Sequence, residues 1–95
     1  MTRLLRLYRD SLTKHQGIVV AAWSAYDFEA VRESAHALKS ASANIGALKL
    51  SRLSQTLEHA LREGDHARLP MLVPPFLAEV ERVTRAVDGM LGEAA

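Results

Sequence analysis

Residues 27–46 read DFEAVRESAHALKSASANIG, and this stretch decides the fold. Phe28, Val31, Ala35, Leu38, Ser42 and Ile45 recur at alternating spacings of three and four, the mark of a helix with one buried stripe. Asp27 stands where an N-cap belongs, its carboxylate able to accept from the free amides of the first turn. Gly46 stands where a chain leaves a helix through the left-handed conformation. A helix is therefore expected from Asp27 to about Asn44. At about 100° per residue, His36 falls roughly 130° from the centre of the stripe, so its imidazole faces solvent or a groove edge.

The same period extends in both directions. Upstream it predicts a helix from about Arg3 to Trp23, with Leu4, Leu5, Leu12, Ile18, Val19 and Trp23 available for burial. Gly17 costs about 1 kcal/mol relative to alanine inside a helix, so a short N-terminal piece followed by a longer one is admissible. Downstream, a third run opens at Ala47, carries Leu48, Leu50, Leu53, Leu57, Ala60 and Leu61, and stops at Gly64, where Asp65 is expected to cap the next element. Pro70, Pro74 and Pro75 suggest a short helical turn from Leu69, with the last helix opening near Pro74, because proline suits a first turn and not an interior. That helix carries Phe76, Leu77, Val80, Val83, Val87, Met90 and Leu91. No segment alternates as a strand does. The expected fold is all-α: an up-and-down antiparallel four-helix bundle, with room for a short extra N-terminal helix, in a single domain over residues 1–95.

Composition narrows the function. A chain of 95 residues builds one modest core, which leaves little room for a multi-step active site. Hydrophobic residues at 48% and charged residues at 24% suit a soluble domain, and no apolar run approaches the roughly 18 residues of a membrane span. The N-terminus lacks the apolar core of a signal peptide, so a cytoplasmic location without direct membrane contact is expected. The absence of cysteine excludes disulfides, thiolate zinc sites and cysteine nucleophiles. Twelve Lys and Arg against eleven Asp and Glu, interspersed, give no electrostatic footprint for nucleic acid. Arg3, Arg6 and Arg9 read as a solvated face. His15, His59 and His66 fit no metal-binding spacing and read as surface residues, so no metal is expected here.

The surroundings of His36 point to phosphoryl chemistry. Lys39 lies one turn after it, where an ammonium reaches whatever the imidazole carries and suits a phosphoryl group better than a metal ion. Arg32 lies one turn before. Ser40 and Ala43 are small and leave the ring open to a flat partner. An imidazole, with a reference pKa of about 6.5, is largely neutral and nucleophilic near pH 7. The chain has no glycine-rich phosphate loop and no paired carboxylates placed for Mg²⁺, so it would carry phosphate while a partner supplies metal and most of the catalysis.

The run AHALKSASANIGA, Ala35 to Ala47, resembles the signature of histidine-containing phosphotransfer (HPt) domains: alanine before the histidine, Leu38 and Lys39 after it, and Gly46 ten residues on. The order of helices resembles that family over nearly the whole chain. The resemblance implies that His36 is the phosphoacceptor, Lys39 its charge-stabilising neighbour and Gly46 a structural glycine. It implies receiver domains as partners, of response regulators or of a hybrid sensor kinase whose cytosolic C-terminal part this chain would be. It also implies no cofactor in this domain, Mg²⁺ on the receiver, and no independent kinase activity. A receiver is expected to cover Arg32, His36, Lys39, Ser40 and Ala43, aided by the first helix. Two positions depart from the pattern: the glycine often found four residues after the histidine is Ser40, and a position frequently occupied by glutamine aligns with Glu58. A carboxylate facing His36 would repel phosphate, so Glu58 is left out of the expected site, with Gln55 a weaker candidate. The competing reading is a helical module that binds a receiver without transferring phosphate.

Overall fold

The computed structural model describes residues 2–92. Four long helices succeed one another: α1 (Thr2–Ser24), α2 (Phe28–Ile45), α3 (Leu48–Arg62) and α4 (Leu69–Leu91), with a 3₁₀ turn at His66–Arg68 ahead of α4. Each packs on the helix before and after it, and α1 closes the ring on α4. The pairs that join them run in opposite directions. Tyr8 near the start of α1 meets Ser42 near the end of α2, and His15, further along, meets Ser34. His36 meets Glu58 on α3, whereas Lys39, later on α2, offers its carbonyl to the earlier Ser51. This is the antiparallel four-helix bundle the periodicity predicts, measuring 39 × 22 × 18 Å.

The core forms where the stripes meet. Leu12, Val19, Val31, Leu38, Leu50, Leu57, Val73, Phe76 and Val80 are fully buried. On α2, Val31, Ala35, Leu38 and Ser42 are buried as expected, while Phe28 and Ile45 pack half-buried at its margin. The Asp27 carboxylate accepts from the Ala30 amide at 3.2 Å, and Gly46, at φ +88°, closes the helix with its amide on the Ala43 carbonyl. That φ is open to glycine and costly for residues with a Cβ.

Several expectations are corrected. α1 runs unbroken through Gly17, so the additional short element is the 3₁₀ turn and not an N-terminal helix. Asp65 makes no side-chain cap, and its carboxylate lies 3.8 Å from Arg68 instead. α4 opens at Leu69, not at Pro74, so Pro74 and Pro75 lie inside it. Only Pro70 takes the cost-free position in the first turn. Pro74 and Pro75 leave the carbonyls of Pro70 and Met71 without helical donors, but all four residues are exposed, so the loss falls on the solvent side of the helix. What favours helix here is burial of Leu69, Val73 and Phe76 at successive turns. Leu4, Leu48 and Met90, expected in the core, are exposed; they lie at the end of the bundle where α1 and α3 begin and α4 finishes.

Candidate functional site

The rotation of α2 is set by its buried residues, and it turns His36 outward with 54% of its side chain exposed. The imidazole is not free to spin. Its Nδ1 lies 2.7 Å from Glu58 Oε2 on α3. Lys39, one turn further along α2, donates from Nζ to Glu58 Oε1 at 2.8 Å. Arg62, one turn after Glu58, places a guanidinium nitrogen 3.0 Å from Oε2. A carboxylate only 3% exposed thus has a hydrogen bond on each oxygen, from His36 and Lys39, and an ion pair with Arg62.

Burial pushes the Glu58 carboxyl up and is the largest single influence on it. The hydrogen bonds from Lys39 and His36, with the charges of Lys39 and Arg62, together outweigh burial and hold it below the usual carboxylate range. Glu58 is therefore ionised near neutral pH, and an ionised carboxylate only accepts. Nδ1 must then carry the ring proton and donate to Oε2. Nε2, on the opposite side of the ring, keeps its lone pair. A neutral histidine in this tautomer presents a nucleophilic nitrogen away from the protein.

The other expected residues fall around it. Ser40 and Ala43 are exposed on the same face of α2 and leave the approach to the ring low. Arg32 lies one turn before His36, and its Nε donates to Glu29 at 3.0 Å. Gly46 ends the helix that carries them all. Gln55 is exposed and lines a shallow polar recess of about 130 Å³ with Lys39, Glu58, His59 and Arg62. His15, His59 and His66 do not converge: the first bonds Ser34, the second lies 3.6 Å from Glu63, and the third packs with its ring tilted against Phe28.

Glu58 belongs to this cluster, contrary to the expectation that leaves it out. Repulsion would require the carboxylate to face the phosphoryl group, whereas it faces the far nitrogen of the ring with two cations on it. The sequence does carry a signal for this. Glu58 shares a helical face with Ser54, Leu57 and Leu61, and a carboxylate on a buried stripe requires partners.

The fold agrees with the comparisons to known proteins. No match was found among curated proteins by sequence. Among solved structures, the chain is similar to the crystal structure of histidine-containing phosphotransfer protein B (HptB) from Pseudomonas aeruginosa PAO1, with a TM-score of 0.85 and 26% identity, covering 99% of this chain and 82% of that one. The model of the Hpt domain family matches residues 3–92. On that match, and on an outward histidine held by a buried partner on a four-helix bundle, the chain belongs to the Hpt domain family, the histidine phosphotransfer domains of phosphorelays.

Proposed function

We propose that His36 is the phosphoacceptor of this domain, taking a phosphoryl group at Nε2 from a receiver-domain phospho-aspartate and passing it to another receiver aspartate. The observation that carries this reading is the Nδ1 contact with Glu58, which reserves Nε2 for attack. In the forward step the Nε2 lone pair forms the N–P bond while the P–O bond to the aspartyl carboxylate breaks, and that carboxylate leaves with the bonding pair. The ring, now substituted on both nitrogens, acquires positive charge. Nδ1–H keeps its proton and its bond to Glu58, which stabilises that charge. Lys39 supplies positive charge to the phosphoryl oxygens, and Mg²⁺ is expected on the receiver.

The receiver covers the face of α2 around Arg32, His36, Lys39, Ser40 and Ala43. It extends toward α1, where exposed Leu4 and Leu7 line an apolar groove with Ala41, Asn44 and Ile45. Family membership brings receiver domains as the partner class; which receivers, and whether one belongs to a hybrid sensor kinase in the cytoplasm, are expectations of the same reading. No helix among the described residues is long and apolar enough to cross a membrane. The test is incubation with a phosphorylated receiver. Acid-labile, base-stable phosphate should appear on the parent chain and be absent from His36→Gln. A parent chain that binds the receiver and takes no phosphate would instead make this a receiver-binding module.

A further inference from the structure

We propose that Arg62 is a positioning residue for transfer at His36: it holds Glu58 ionised and in place when Lys39 turns from that carboxylate to the incoming phosphoryl group. This rests on the reading of His36 as acceptor. The difficulty it resolves is one of charge. Lys39 is already committed, its Nζ 2.8 Å from Glu58 Oε1, in the state that awaits phosphate. If Lys39 were the sole cation on Glu58, attending to a phosphoryl dianion would abandon a carboxylate that is 3% exposed. A buried anion without partners is costly, so it would either hold Lys39 back or take up a proton. A protonated Glu58 is no longer purely an acceptor, and the tautomer that frees Nε2 is no longer imposed.

The geometry divides the two tasks. Lys39 sits on α2 with His36, one turn away, and its bond goes to Oε1, the oxygen the ring does not use. Arg62 sits on α3 with Glu58, one turn away, and lies on Oε2, the same oxygen that receives Nδ1–H. Departure of Lys39 therefore leaves the Glu58–His36 bond with its own cation. The groups that face Glu58 are His36 and Lys39 from α2 and Arg62 from α3, with Arg32 of α2 within electrostatic range. Two cations and one carboxylate give the resting cluster a surplus positive charge, which the arriving phosphoryl group and the newly charged ring bring to balance.

The test uses the full chain as parent, Arg62→Gln and Arg62→Lys, with two readouts. The first is the carboxyl ¹³C titration of Glu58 in the unphosphorylated protein, and the second is the fraction of phospho-His36 at equilibrium with a phosphorylated receiver. Arg62→Gln should move the Glu58 titration to higher pH and lower the transfer equilibrium constant about fivefold, the scale of one partly exposed ion pair. Arg62→Lys should restore most of both. The proposal is overturned if Arg62→Gln matches the parent in transfer, or if it weakens transfer while the Glu58 titration stays in place, which is what a merely structural role would give. A parent chain that takes no phosphate would sink the acceptor reading and this one with it. Failure of the Arg62 proposal alone is told apart by a parent and Arg62→Gln that transfer equally.

Discussion

At the scale of single residues, the site depends on one buried carboxylate. Glu58 is held below the usual carboxylate range when folded and returns to about 4.3 when unfolded, so its contribution to stability is complete above that value. It is lost as the pH falls through the lower folded value. Glu79 behaves alike, since the Arg82 hydrogen bond, against burial, holds its carboxyl down. Thermal unfolding between pH 7 and pH 2 should therefore show a midpoint that drops below about pH 4.3. Glu58→Gln should show a shallower drop, with Glu79 and the Arg32-bonded Glu29 contributing to the remainder; an identical acid profile would remove Glu58 from the ion cluster. The orientation of His36 is legible from the stripe that passes behind it. That Glu58 needs partners is legible from its place on a buried stripe, but its role is not, because charge type alone says that a carboxylate repels phosphate. Only the packing of α3 on α2 shows which ring nitrogen it meets.

At the scale of elements, the caps of α2 are readable because Asp27 and Gly46 act within a few residues of themselves. Gly46→Ala should cost about 1 kcal/mol, measured by urea unfolding, since its φ of +88° strains a residue with a Cβ. The start of α4 is not readable, because local proline chemistry and tertiary burial point in opposite directions there. Leu69, Val73 and Phe76 bury themselves by keeping Pro74 and Pro75 in a helix. This makes the prolines a standing cost. Pro75→Ala restores an amide to the Met71 carbonyl at an exposed position, and should stabilise the domain by ~1–2 kcal/mol, allowing for the freer unfolded chain. A lowered melting temperature would mean that α4 does not carry this strain. Gly17 misleads for the converse reason: a glycine penalty of about 1 kcal/mol is too small to divide a helix whose Leu12 and Val19 are both fully buried.

At the scale of the molecule, four stripes meet in one core while the outer face of α2 stays uncovered. Periodicity shows which side of each helix is apolar and not where its neighbours end, which is why Leu4, Leu48 and Met90 read as core and stand exposed at one end of the bundle. Because the His36 face takes no part in the core, it can be altered without loss of the fold. Ser40→Trp should keep the helical content and stability of the parent to within about 0.5 kcal/mol, as a surface change does, while blocking phosphotransfer. Normal transfer by that folded variant would place the receiver elsewhere. The central claim, that Glu58 holds Nδ1 so that Nε2 takes the phosphoryl group, is tested most directly by ¹⁵N and ³¹P NMR of the ¹⁵N-labelled chain phosphorylated by a receiver. Coupling of phosphorus to His36 Nε2, with Nδ1 still protonated, is the predicted result. Coupling to Nδ1, or phosphate on another residue, would contradict it.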